Sequence, residues 1–229
     1  MSRRDLRTNL WMIEDAVRRG DIPTALHQYD ITLRVFPDMS EALYPVLTAA
    51  SSDEAIRPQL IRTLSGKPSW GESFVIYAAT QTPEPRATAA LFQGLGRAGV
   101  PVPQVSQARV VDALLAADQI DPAWAYYASV RQGASRQKSR DPTFSANLAA
   151  ASQLDWVAIN DEKVATSVQG GLADFSASAS VGGALLRQVQ LLAPGTYRLI
   201  GHSIGIDQQA GARPYWALTC KDGRQLGRV

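Results

Sequence analysis

Gly201-His202-Ser203-Ile204-Gly205 is the one segment whose residue types and spacing match a catalytic device. Gly-x-Ser-x-Gly after a strand is the nucleophile elbow, which lifts a serine hydroxyl onto a sharp turn for acyl transfer. The elbow requires a helix directly after it, then an acid and a histidine further along. Here Asp207-Gln-Gln-Ala-Gly-Ala-Arg-Pro214 follows, a turn-like run closed by proline. None of the 24 residues beyond Gly205 is histidine. His202, beside Ser203 on an extended segment, points to the opposite face. Two glycines shaping a bulge or strand end account for the pattern more simply. A serine hydrolase using Ser203 therefore stands as the alternative, the protein is expected not to be an enzyme, and no catalytic residue is assigned.

Other chemistry is sparse. A single cysteine, Cys220, excludes an internal disulfide and a thiolate zinc cluster. Only two histidines are present, and His27 falls mid-helix among polar neighbours, a solvated position. Asp155, Asp161, Glu162 and Asp174 lack the spacing of an EF-hand loop; a structural calcium held by backbone carbonyls is the remaining metal alternative. No metal ligand and no cofactor is assigned. Gln169-Gly-Gly171 and Val181-Gly-Gly183 are turns rather than phosphate cradles, because no helix start with a Lys follows. Trp156, Tyr197 and Tyr215 are the candidate ligand-binding residues, as rings on which a sugar could stack. Core is nevertheless the expected role of Tyr197 and Trp216, because Val/Leu-rich strands need large fillers, and Cys220, on the Trp216 face by alternation, reads as buried and unreactive.

Charge excludes one class. The 229 residues carry 23 Lys+Arg against 21 Asp+Glu, a formal charge of +2, without the footprint of a nucleic-acid binder. The one basic cluster is Arg136, Lys138 and Arg140, expected to be solvated. With 45% apolar residues the chain carries enough for a packed core. No stretch reaches the ~20 apolar residues of a bilayer span, and the start lacks a signal-peptide core. As written, the chain is expected in the cytoplasm, without membrane insertion.

Two periodicities organise the chain. Up to residue 132, apolar residues recur at helical spacing between Gly and Pro breakers. Leu6, Leu10, Ile13 and Val17 make one stripe ending at Gly20; Ala25, Leu26, Tyr29 and Leu33 make the next, opened by Pro23 and closed by Pro37. Further helices are expected at Met39–Ala49, Asp53–Leu64, Trp70–Ala79, Pro85–Arg97, Gln104–Ala116 and Pro122–Arg131, with Pro45 and Pro58 weakening two of them. Residues 133–154 are polar and basic, a linker. From 155 to 229 the period shortens to two. Leu185–Leu192, Thr196–Ile200 and Tyr215–Cys220 are the stronger strands; Trp156–Ile159, Val164–Val168 and Asp174–Ala179 the weaker. Ala193-Pro194-Gly195 and Lys221-Asp222-Gly223-Arg224 are hairpin turns. The fold class expected is α+β in two domains, an all-α solenoid (or a generic helical bundle) at 1–132 and an antiparallel β-sandwich at 155–229 that ends as a strand begins.

Gly20, Asp21, Ala25, Tyr29 and Pro37 resemble the second-helix signature of the tetratricopeptide repeat, and Asp118, Ala123 and Tyr127 repeat its spacing 98 residues later, close to three repeats. Asn9, Ile13, Ala16 and Thr32 depart from the family's usual residues. Gly20, Ala25, Tyr29, Pro37, Ala123 and Tyr127 are the repeat-packing residues this resemblance implies, with protein or peptide binding on a concave face. Leu192-Ala-Pro-Gly-Thr-Tyr-Arg-Leu199 and Tyr215-Trp-Ala-Leu-Thr-Cys220 resemble jelly-roll carbohydrate-binding modules. Together the halves resemble uncharacterised bacterial proteins joining a TPR-like region to such a sandwich, with longer relatives that face the periplasm or cell envelope. The function this implies is a non-catalytic scaffold, with polysaccharide as a second partner. The other alternative is a structural fragment that binds nothing.

Overall fold

The computed structural model describes residues 5–178, 181–205 and 214–229. Helix α1 spans Leu6–Arg18, capped by Asp5, whose carboxylate accepts from the Arg7 amide at 3.2 Å. Helix α2 spans Ile22–Val35, with Pro23 in its first turn and Asp21 accepting from the Thr24 amide at 3.1 Å. Both are side-chain N-caps, which satisfy amides that have no partner inside a helix. A single 3-10 turn at Pro37–Met39 leads into α3, Ser40–Ala50, followed by α4, Arg57–Ser65, and α5, Gly71–Thr80. Then come α6, Pro85–Arg97, α7, Gln104–Ala116, and α8, Ile120–Val130. Helix α4 starts four residues later than expected because Asp53 turns the chain, accepting from the Ala55 amide at 2.7 Å. Pro58 thus falls in the first turn of α4, where proline costs least, while Pro45 lies inside α3.

Beyond sequence neighbours, helices meet two places along the chain. Helix α2 packs on α4, α4 on α6 and α6 on α8; α3 packs on α5 and α5 on α7. The result is an even-numbered row beside an odd-numbered one. Leu47, Leu60, Leu64, Phe74, Leu91, Leu95, Val110 and Leu114 are fully buried between them. At ~1.5–3 kcal/mol for each side chain of this kind, these residues are what holds the rows together.

The 98-residue sequence echo is also a geometric one. Gly20 and Asp118 both take left-handed backbone, with φ of 68° and 58°. After each, the chain closes the helix in the same way: Asp21 donates to the Ala16 carbonyl and Gln119 to the Leu114 carbonyl, both at 2.9 Å. This is the helix-ending turn that favours glycine. Ala25, Tyr29, Ala123 and Tyr127 are buried behind these turns, whereas Pro37 is exposed at the end of α2.

In the C-terminal part the described strands are β1, Val157–Ala158; β2, Val164–Gln169; β3, Leu172–Ala177; β4, Leu186–Arg187; β5, Ala217–Thr219; and β6, Gln225–Arg228. They form three separate antiparallel ribbons, β1 with β4, β2 with β3 and β5 with β6, rather than the stacked sheets expected. Gly170 and Gly171, at φ 61° and 85°, make the two-residue turn between β2 and β3. The turn at Lys221–Arg224 joins β5 and β6 as expected. Thr196–Ile200 is not a strand, and only Leu186–Arg187 of the expected Leu185–Leu192 pairs. The remainder of that run lies against the helices instead. Val189 and Leu191 pack on the helical core, and the Val189 amide donates to the Gln153 carbonyl at 2.8 Å. The chain is therefore mixed α+β. No helix among the described residues is long and apolar enough to cross a membrane.

Residues 133–154 carry no helix or strand and are mostly exposed or half-buried, but the expectation that the Arg140 charge is solvated is corrected. Leu154 is fully buried in the helical core, and Arg140 is 6% exposed. The Arg140 guanidinium donates to the Leu154 and Val189 carbonyls and, at 3.3 Å, to Gln190 Oε1. Its charge also lies 5.8 Å from the Trp124 ring centre and 5.7 Å from that of Tyr127. Burial holds the Arg140 pKa below the usual guanidinium value, with the carbonyls taking the place of water. Asp155 completes the junction: its carboxylate accepts from the Tyr127 hydroxyl at 2.6 Å and from the Ser152 amide and hydroxyl at 2.9 and 2.8 Å. Of the basic cluster, Arg136 pairs with Asp121 at 2.7 Å and Lys138 is exposed.

Candidate functional site

Helices α3 and α5 lie side by side in the odd row and leave between them a groove of about 320 Å³. Ser40, Glu41 and Tyr44 of α3 line it, with Ser73, Ile76, Tyr77 and Thr80 of α5 and Gln81 just beyond. The floor is aromatic and fixed. The Tyr44 ring centre lies 5.5 Å from those of Phe74 and Tyr77 and 6.5 Å from that of Trp70. Its hydroxyl donates to the Trp70 carbonyl at 3.1 Å, and the Trp70 indole N–H donates to Asp30 Oδ1 at 2.9 Å. Burial raises the Tyr44 phenol pKa, so it stays a neutral donor.

The rim supplies the polar groups. Glu41 and Ser73 are exposed, and the Thr80 hydroxyl donates to the Ile76 carbonyl at 2.8 Å while receiving the Arg109 guanidinium of α7. Ile76 is 37% exposed in the middle of this surface. An open apolar floor with hydroxyl, amide, carboxylate and guanidinium groups at its edge suits the reception of an apolar side chain on a polar backbone. Sequence reasoning did not find this site. The available signal was α5 itself, Gly71-Glu-Ser-Phe-Val-Ile-Tyr-Ala-Ala-Thr80, which is apolar on more faces than one packed layer covers.

Among the exposed large apolar residues of the helices, Trp11 and Val17 lie on α1, Val46 on α3, Ile76 on α5 and Val105 on α7; the even row contributes Val35. Helix α1 packs on α2, so the row of α3, α5 and α7 shows three of these residues, Val46, Ile76 and Val105, against one, Val35, on the even row.

The candidate rings of the C-terminal part are dispersed. Trp156 is half-buried between Phe144, at 5.4 Å, and Trp216, at 5.6 Å, and its indole N–H donates to the Asp141 carbonyl at 3.0 Å. Tyr197 is exposed, with its hydroxyl donating to the Ala193 carbonyl at 2.6 Å. Tyr215 is exposed and carries the Arg228 guanidinium over its ring at 3.5 Å. Among the described residues no ring contact joins Trp156, Tyr197 and Tyr215. The expectation that Trp216 and Tyr197 are core residues is corrected, since 38% and 44% of their surface is exposed: no second sheet among the described strands covers them. Cys220, expected buried, is half-buried, with the Arg224 guanidinium 3.8 Å from its sulfur.

Ser203 and His202 lie on exposed chain without regular secondary structure, where an elbow would need a strand leading into a helix. The turn expected after the motif lies mostly in 206–213, outside the described residues. His27 is exposed on α2, as its polar neighbours imply. Among the described residues no three of His, Cys, Asp and Glu group as a metal site.

No protein-family model, no curated protein and no solved structure matches the chain.

Proposed function

We propose that the protein is a non-catalytic binding scaffold, whose helices form a TPR-like solenoid and receive a protein or peptide segment in the groove between α3 and α5. The observation that carries this reading is the groove: an apolar, partly exposed floor of Tyr44, Ile76 and Tyr77 fixed by buried aromatic contacts. Two further features support it. Helices meeting two places along the chain are the packing of a helical solenoid, and Val46, Ile76 and Val105 are exposed apolar side chains on consecutive helices of one row. An array of short peptides, with hits measured by calorimetry, tests it. Peptides with an apolar anchor bind, and Ile76→Asp lowers their affinity tenfold or more, equivalent to ~1.4 kcal/mol per decade. Binding indifferent to Ile76→Asp removes the groove from the proposal, and an array without hits favours a purely structural role.

A second reading concerns polysaccharide. Trp216 packs at a tilt of 59° beside Trp156 yet keeps part of its surface exposed, the disposition of a ring on which a sugar face can rest. A glycan array in which Trp216→Ala abolishes a signal supports it; equal signals from both proteins dismiss it.

A further inference from the structure

We propose that the open edge of β5 pairs antiparallel with the β5 edge of a second copy of this chain, about a two-fold axis at Ala217. The inference is independent of the helical groove. Trp216 and Val229 exchange both backbone hydrogen bonds, at 2.6 and 2.9 Å, and Leu218 lies opposite Gly227 two residues further on. In an antiparallel ladder such pairs alternate with residues whose amides point away. The N–H and C=O groups of Tyr215, Ala217 and Thr219 therefore face the open side, where no strand pairs with β5 among the described residues. An exposed edge of this kind is a template for another strand.

Charge and side-chain size select the occupant. Edges are normally guarded by charged residues, and one strand of each ribbon has one: Arg187 in β4, Asp174 in β3 and, beside β5 itself, Arg228 in β6. The run Tyr215-Trp-Ala-Leu-Thr219 has none. Set antiparallel against itself, it places Ala217 opposite Ala217 of the second copy, Tyr215 opposite Thr219, and Trp216 opposite Leu218. Small meets small at the axis, and an aromatic meets an aliphatic side chain on the face that already holds Trp156. Trp216 and Leu218, 38% and 37% exposed, would be covered, and like charges never oppose each other along the strand. Lys221, at the end of this ribbon, meets Asp118 of the turn between α7 and α8 at 2.5 Å in an exposed pair.

The test uses the full chain. Sedimentation velocity across a wide concentration range gives twice the chain mass for the wild type. Ala217→Lys sets two cations face to face, and Ala217→Pro removes an outward N–H that β6 does not use; both halve the mass with unchanged circular dichroism, while Leu226→Lys on β6 leaves it doubled. In a Cys220→Ser background, Ala217→Cys forms an intermolecular disulfide on mild oxidation, because paired residues here have α-carbons about 5.5 Å apart, and Leu226→Cys does not. A wild type that stays monomeric, dimers that survive both Ala217 variants, or equal cross-linking from positions 217 and 226 overturns the proposal.

Discussion

The Tyr127 hydroxyl donates to Asp155 Oδ1 at 2.6 Å, tying the last helix to the first residues of the C-terminal part. Burial, followed by the Asp155 carboxylate, pushes the Tyr127 phenol well above its ordinary range, so the proton stays on the tyrosine. Tyr127 and Asp155 are 3% and 5% exposed, and water cannot replace a lost partner cheaply. Tyr127→Phe is expected to cost about 1.5–3 kcal/mol, the range for a hydrogen bond to a charged group. In urea titrations, Tyr127→Phe combined with Asp155→Asn should show a coupling of roughly 0.5–3 kcal/mol. Additive losses would mean that the two groups do not act on each other.

Left-handed backbone at Gly20 and Asp118 gives a prediction with opposite signs. A Cβ at Gly20 meets nothing within 4 Å, so Gly20→Ala reports backbone strain alone, roughly 1–2 kcal/mol of destabilisation. Asp118 already carries that strain, and Asp118→Gly releases part of it. The change also removes the pair with Lys221, whose side chains are 70% and 75% exposed, a pair of little weight. Thermal melts should therefore move down for Gly20→Ala and up for Asp118→Gly. A shift of the same sign in both would refute the equivalence of the two turns.

That pair also shows what was legible in the sequence. Gly20 with Ala25 and Tyr29, and Asp118 with Ala123 and Tyr127, mark helix ends and packing positions through local chemistry, which spacing displays. Pro23 and Pro85 place helix starts for the same reason, whereas Pro58 reads as an interruption of a helix from Asp53 and in fact opens α4. The groove was hidden because Tyr44 and Ile76 meet only after α3 is packed on α5. Leu185–Leu192 misled because an alternating apolar run serves equally to form a strand and to lie on a helical core, and the acceptor at Val189 for Arg140 decided between them. Arg140 itself looked like a solvated charge, since its carbonyl partners are distant in sequence.

Asp112 offers a titration test of the same junction. Its Oδ1 accepts from the Gln153 amide at 2.8 Å. Burial is the largest effect on it and raises its pKa above the ordinary 3.8; the Gln153 amide lowers it, the Asp155 carboxylate raises it and Arg187 lowers it. A carboxyl raised on folding binds its proton more tightly in the native state. Its contribution is fully present below the unfolded-state value and is lost as pH rises through the folded-state one. Asp112→Asn keeps an oxygen acceptor for Gln153 and has no charge to desolvate at any pH. The variant should match the wild type in acid and become progressively more stable than it as pH rises above about 4, the effects of titrating groups not coupled to Asp112 cancelling in the difference. Paired melting curves from acid to neutral pH measure this directly. A stability difference that is flat with pH, or that favours the wild type at neutral pH, would show that the Asp112 charge is well accommodated where it stands.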